Sequence, residues 1–328
     1  MSKRAEQARA LLVSMGEPAG IGPEVAVKAF AALGGAIRGR PLRLIGDAEI
    51  FRATAVSCGL DSAALSDACI DLGRAGTVTP GQPSAATAKG VTGAIAESVA
   101  MLQRGEGAGL VTAPIHKSAL TGAGFGFPGH TEYLAALTGA PLAVMMLASR
   151  DVEPPLRVIP LTIHIPLRDV FAQLNAPAIL ATSKIVLQRL ASDFGIASPR
   201  LAIAGLNPHA GEDGTMGIED RDIIAPAVAE LCAHGHDVVG PLSADTLFHD
   251  DARKAYDAAL CMYHDQALIP IKTLAFWTGV NVTLGLPIVR TSPDHGTAIS
   301  IAGRGIANAA SMIAAIETAA EIADRRGL

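Results

Sequence analysis

Apolar residues in this chain come in short continuous runs. Such runs occupy residues 11–14, 42–46, 110–112, 143–147, 157–163, 201–204 and 259–263. Near-continuous apolarity over a few residues, without strict alternation, predicts strands buried on both faces. Between several runs the apolar period lengthens towards that of a helix, as over residues 177–194 and 223–234. The first run leads into Gly20-Ile-Gly-Pro-Glu24, which opens a helix with Gly22 at the cap, Pro23 in the first turn and Glu24 at the positive dipole end. Gly34-Gly35 can end that helix, and a second is expected from about Asp47 to Cys58. Near the C-terminus Ile306, Ala309, Ile313, Ile316 and Ala320 are expected on one helical stripe. Strands alternating with helices predict an α/β architecture with a largely parallel sheet. Residues 72–87 and 122–129 read as connections, and 151–155 as a turn.

Composition narrows this picture. The chain has 328 residues, enough for two domains, and 50% hydrophobic against 17% charged residues excludes a disordered chain or a coiled coil. A formal net charge of −5 argues against nucleic acid or an anionic membrane as a partner, so any anion site must be local. Cys58, Cys69, Cys232 and Cys261 form no C-x-x-C pair and read as buried, reduced thiols. The N-terminus lacks the features of a signal peptide, and residues 142–148, the longest apolar run, fall far short of the roughly 20 residues of a membrane span. The expectation is a soluble, cytoplasmic protein.

The nine histidines are the most informative residue type. His234 and His236 flank Gly235 in a surface turn, and His249 sits beside Asp250 and Asp251. His164, His209 and His264 each close an apolar run, and ligands of open α/β sheets bind beyond the carboxyl ends of strands. Three imidazoles at such ends suit one divalent metal ion, although a strand-capping histidine is also served by an ordinary hydrogen bond. Gly122-Ala-Gly124-Phe-Gly126 lacks the strand-to-helix setting of a dinucleotide loop. The segment from Met15 to Glu24 has that setting; it offers backbone amides to an anion or cofactor, or serves only as a tight turn. Lys117, Lys272 and Arg290 lie in apolar surroundings, where a cation needs an ion-pair partner or an anionic ligand. No nucleophile elbow or P-loop is present.

In order from residue 16 to 308 stand GEPAGIGPEV, TAPIHK, FPGHTEYLA, VMMLAS, LTIHIPLRDV, GLNPHAGEDGTMGIED, GPLSADTLF, MYHDQALIPIK, GVNVTLGLPIVRTSPDHGTA and IAGRGIAN. Together they resemble the 4-hydroxythreonine-4-phosphate dehydrogenase family, and the GIGPE, DHGTA and IAGRGIAN segments resemble the wider isocitrate and isopropylmalate dehydrogenase group. The resemblance implies a two-domain α/β/α subunit with the fold of that group, not a Rossmann fold. One domain would combine residues 1–135 and 285–328 on the NAD side; residues 136–284 would form a central domain with metal ligands and a dimer interface. His164, His209 and His264 match the family's metal ligands, shared between the two subunits of a homodimer. His130, Thr131, Lys272, Asn281 and Arg290 match its substrate contacts, and Asp294, His295, Gly296, Thr297 and Asn308 fall where the wider group holds the adenine end of NAD.

The implied reaction is NAD-dependent oxidation of 4-hydroxythreonine 4-phosphate, with zinc, magnesium or cobalt. The resulting 3-keto acid loses carbon dioxide to give 3-amino-2-oxopropyl phosphate, a step in vitamin B6 synthesis. Lys117, Asp245 and Asp265 are the candidates for the base. Family members acting on threonate or erythronate 4-phosphate, or on a terephthalate dihydrodiol, give an alternative substrate. A non-catalytic metal-binding protein and a metal-dependent hydrolase are alternatives of another class. Phe276-Trp277-Thr278, holding the chain's single tryptophan, is either a packing change or an alteration of substrate shape.

Overall fold

The computed structural model describes residues 8–73, 76–127 and 129–328. The basic start of the chain, part of the connection at 72–87, and Pro128 of the FPGH segment lie outside the described residues. The chain divides into two compact units, Met1–Ala143 with Leu286–Leu328, and Val144–Gly285.

The first unit runs β1 (Ala10–Ser14), α1 (Gly22–Ala32), β2 (Ala36–Ile37), β3 (Arg40–Gly46), α2 (Ala48–Ser57), β4 (Cys69–Asp71), α3 (Ala88–Gln103), β5 (Gly107–Thr112), α4 (Lys117–Gly122) and α5 (His130–Thr138). The second holds β6 (Val144–Ser149), β7 (Leu156–Pro160), α6 (Leu167–Gln173), α7 (Ala176–Phe194), β8 (Arg200–Ala204), α8 (Ala225–Ala233), β9 (Asp237–Leu242), α9 (Asp250–Arg253), β10 (Ala258–Cys261), α10 (His264–Leu274) and β11 (Val280–Leu284). The chain then returns to the first unit for β12 (Arg290–Pro293) and α11 (Ala310–Arg325).

In the first unit β3, β1, β5 and β12 are consecutive parallel neighbours, with β4 parallel and β2 antiparallel to β3. β1 and β5 are buried nearly throughout, as their continuous apolarity requires. Leu12, Ile45, Leu110, Leu134 and Leu286 share a core with Ile95 and Val99 of α3. Asp47 starts α2 by accepting from the backbone N–H groups of Glu49 and Ile50. The buried face of α11 is Met312, Ala315, Ile316, Ala319, Ala320 and Ala323, which displaces the expected stripe. Ile306 precedes the helix and is exposed, because α11 begins only after Asn308 has accepted from Ala310 N–H.

In the second unit β7, β10, β8 and β9 are parallel neighbours, while β6 runs antiparallel to both β7 and β11. The sheet is largely parallel, as expected, and β6 is the exception in this unit. Leu147, Val158, Ala202, Ala259 and Cys261 form its core with Ala267 and Ile271 of α10. α7 starts at Asn175, whose side chain accepts from Ala178 N–H, and ends at Gly195 in the left-handed region. The cysteines also need correcting: all four are free, but only Cys261 is buried and Cys232 is exposed at the end of α8. Among the described residues no single helix is long and apolar enough to cross a membrane; α6 and α7 reach that length only together, across a 90° bend.

Candidate functional site

The GEPAGIGPE turn between β1 and α1 is a junction of backbone segments. Glu17 N–H donates to Pro114 O, Gly81 N–H to Ala19 O, and Ile21 N–H to Thr297 O, at 2.8, 2.8 and 3.0 Å. These close approaches require glycine. A Cβ on Gly16, at φ +68, would lie 2.5 Å from Pro114 O, and one on Gly20 would lie 2.8 Å from Thr297 O. The turn therefore carries the segments that follow β5 and β12, the latter being the loop from Asp294 to Thr297, and the connection at Gly81. Asp294 N–H is held by Ser311 Oγ at 3.0 Å, and His295 Nδ1 lies 3.0 Å from Gly296 O. A cavity of about 210 Å³ borders the turn, and Pro18, Gly20, Glu24 and Gly303 are among the residues that line it.

A second cluster in this unit gathers two cations around a buried imidazole. Arg290 opens β12 beside β5, is 2% exposed, and donates from Nη2 to the Thr112 hydroxyl at 2.6 Å. Burial pushes its guanidinium down to about 9. His130, at the start of α5, has a buried Nε2 with no hydrogen-bond partner among the described residues. Burial, then the charges of Arg290 and Lys117, hold this imidazole well below its ordinary range, so it is neutral at pH 7. Thr131 lies in the same first turn. Two cations converge on one neutral donor-acceptor ring, an arrangement that an anionic oxygen compensates.

The second unit places three histidines beyond the carboxyl ends of three adjacent parallel strands, β7, β10 and β8. His164 follows β7 and His264 begins α10 after β10; their ring centroids are 5.5 Å apart. Leu161 N–H donates to Cys261 O and the Thr162 hydroxyl to Met262 O, so the two segments are knitted together. Asp265 Oδ1 contacts His264 Nδ1 at 2.7 Å, which leaves Nε2 as the ring atom available to an ion. A cavity of about 250 Å³ is lined by His164, Tyr263, His264 and Asp265. His209 follows β8 in a run where every residue from His209 to Asp213 has positive φ. Asp220, buried, fastens this run through Leu206 N–H, Asn207 N–H and the Asn207 amide, at 2.7, 3.1 and 2.9 Å. Asp245 is held below the usual carboxylate range, first by the Ser243 hydroxyl and in smaller part by His209. Among the described residues no group of three or more His, Cys, Asp and Glu side chains is arranged to hold a metal ion.

Asn281 on β11 presents a buried Oδ1 without a hydrogen-bond partner among the described residues. Lys272 stands on α10 with its ammonium 5.5 Å from the Phe276 ring centroid. Glu17 went unnoticed in the sequence. Its carboxyl is fully buried, Oε1 accepts from Ala19 N–H, and Oε2 has no partner among the described residues. Burial raises its pKa, against the pull of Ala19 N–H and His116. The available signal was a carboxylate between Gly16 and Pro18, in a segment with no other charge before Glu24.

Fold and site together define a class. A β-decarboxylating dehydrogenase from Thermococcus kodakarensis shares the fold alone, with a TM-score of 0.50 and 14% identity over 98% of this chain and 84% of that one. The match is much closer within a single family. Residues 40–319 fit the family described as "Pyridoxal phosphate biosynthetic protein PdxA", and the chain belongs to it. It is 51% identical to the 4-hydroxythreonine-4-phosphate dehydrogenase of Paracoccus denitrificans, over 98% of this chain and 99% of that protein. The crystal structure of 4-hydroxythreonine-4-phosphate dehydrogenase from Klebsiella pneumoniae matches with a TM-score of 0.83 and 39% identity, over 96% of this chain and all of that one.

Proposed function

We propose that this protein is an NAD- and divalent-metal-dependent dehydrogenase that oxidises 4-hydroxythreonine 4-phosphate, with decarboxylation of the resulting 3-keto acid, in pyridoxal phosphate synthesis. The observation that carries the reading is the buried Arg290 beside the neutral His130, with Lys117 facing the same ring. Two positive charges and a neutral imidazole gathered at one buried place suit an anionic group, and phosphate or carboxylate matches the fork of a guanidinium.

The groups take the following roles. Arg290 grips an anionic group of the substrate, Lys272 adds a point charge, and His130, Thr131 and Asn281 orient its polar atoms. Nε2 of His130 and Oδ1 of Asn281, both buried, fit this because each lacks another partner among the described residues. His164, His209 and His264 would hold the metal, and Asp265 would fix the His264 ring. Imidazoles favour zinc or cobalt over magnesium, which prefers oxygen. When bound, NAD accepts the hydride and the ion polarises the substrate oxygen through both steps. Asp294, His295, Gly296, Thr297 and Asn308 would take the adenine end of NAD, next to the glycine turn, so that the first unit is the NAD side. Asp265 is engaged with His264, which leaves Lys117 beside His130 and Asp245 beside His209 as the groups placed to receive the hydroxyl proton. The protein is a homodimer that shares these three metal ligands between its subunits. The four free cysteines suit the reducing cytoplasm.

The test is NADH formation by the metal-loaded protein with 4-hydroxythreonine 4-phosphate, threonate 4-phosphate, erythronate 4-phosphate and a terephthalate dihydrodiol. Turnover chiefly of the first is expected. Turnover chiefly of another would move the enzyme to a different route and make the loop around Trp277 the first place to seek the change. No NADH from any would overturn the dehydrogenase reading.

A further inference from the structure

The segment from Gly303 to Asn308 is pinned to α1 by one ion pair. Glu24, in the first turn of α1 and with a side chain 3% exposed, lies 2.7 Å from Lys28 Nζ one turn further on. The same Oε1 accepts from Ala307 N–H at 2.6 Å. The ammonium donates also to Gly305 O and Ala307 O, each at 2.9 Å. Its three donors thus meet three acceptors, and the charge serves backbone rather than ligand. Gly303 and Gly305 are both in the left-handed region, and a Cβ on Gly303 would lie 2.7 Å from Pro80 Cβ. Glu24 and Gly303 both line the 210 Å³ cavity beside the glycine turn, so one carboxylate lines that cavity and also holds the segment that follows Gly303.

We propose that Glu24 and Lys28 are positioning residues for the adenosine half of the dinucleotide. They act by holding Gly305 and Ala307, and with them Asn308, in the binding arrangement before the ligand arrives. A loop ordered beforehand costs less to bind, so the pair sets affinity for NAD without supplying a group to the reaction. This inference rests on the proposal that Asn308 and the loop at 294–297 hold the adenine end.

The experiment measures dissociation constants by titration calorimetry on the full-length protein, without turnover. The probes are NAD, ADP-ribose and 4-hydroxythreonine 4-phosphate, and the variants are Lys28→Met, Lys28→Arg and Asn308→Ala. Lys28→Met is expected to weaken NAD and ADP-ribose alike by about ten-fold, the scale of a lost preorganised contact, and to leave the substrate within about two-fold. Lys28→Arg, which keeps the charge and the donors, is expected to restore most of the affinity. Weakening by Asn308→Ala with wild-type binding by Lys28→Met overturns the clamp and keeps the adenine site. Wild-type binding by both overturns the adenine site and the clamp with it. Equal weakening of dinucleotide and substrate by Lys28→Met also overturns the clamp, because it marks general loosening. Should Lys28→Met not fold, Glu24→Gln carries the same arms, since it keeps an acceptor for Ala307 N–H and removes the charge.

Discussion

The substrate-binding role proposed for Arg290 couples that binding to pH through burial. A base whose charged form is disfavoured in the fold loses its proton earlier as pH rises, here at about 9, well below the ordinary guanidinium range. Since kcat/KM reports the free enzyme, it is expected to hold level below about pH 8 and to fall through about 9. A profile level to about pH 10 would remove Arg290 from anion binding. Arg290→Lys retains charge but not the fork, and a rise in substrate KM of about ten-fold or more is expected from steady-state kinetics. Glu17 gives the opposite linkage. Burial holds its carboxyl above the usual carboxylate range, so between the unfolded and folded values the folded state binds more protons than the unfolded. Stability is then lost as pH rises through that window. Glu17→Gln removes the titration, and the melting temperature of the variant should gain on the wild type as pH rises through that window. A constant difference would show that Glu17 keeps its ordinary pKa.

At the scale of elements, strands and helices were legible wherever a continuous apolar run was bounded by a clear start or stop. β8 and β10 appear almost as expected, because Leu201–Ala204 and Ala258–Cys261 carry nothing but apolar residues. β9 was missed because Gly240 and Pro241 interrupt it, and β11 because Val280–Leu284 alternates polar with apolar residues. The antiparallel direction of β6 has no local signature at all. Nor does the left-handed run after β8: of its five residues only Gly211 favours that conformation. Asp220, eleven residues beyond His209, fastens Leu206 and Asn207 just before the run. The positions of His164, His209 and His264 at strand ends could therefore be read, but not how the segment bearing His209 is held. Asp220→Ala should cost about 2 kcal/mol or more in denaturant unfolding, since it strands buried backbone donors. It should also lower bound zinc, measured by elemental analysis of dialysed protein. Gly20→Ala should cost about 1–3 kcal/mol, because a methyl cannot stand 2.8 Å from Thr297 O without moving the loop.

The whole chain is one unit interrupted by another. The first unit needs both ends of the sequence, since β12 is paired to β5 and the buried face of α11 covers that region. A chain ending at residue 309 should accordingly show no cooperative unfolding transition by circular dichroism. The proposed sharing of metal ligands between subunits is tested at this scale too: His164→Ala and His264→Ala chains, each inactive, should regain activity as mixed dimers. Proven mixed dimers without recovery would place all three ligands in one chain. The interruption itself has tidy edges. Val144 opens β6 and Leu284 closes β11, and the two are partners in an antiparallel register. Cα atoms of such partners stand about 4.5–5.5 Å apart, one strand spacing. In topological terms the central segment is a parenthesis, opened and closed at the same point. It can be lifted out and another written in with two neighbouring junctions and no rethreading. Descendants of one ancestor can therefore exchange the histidine-bearing half of the molecule while inheriting the other half unbroken.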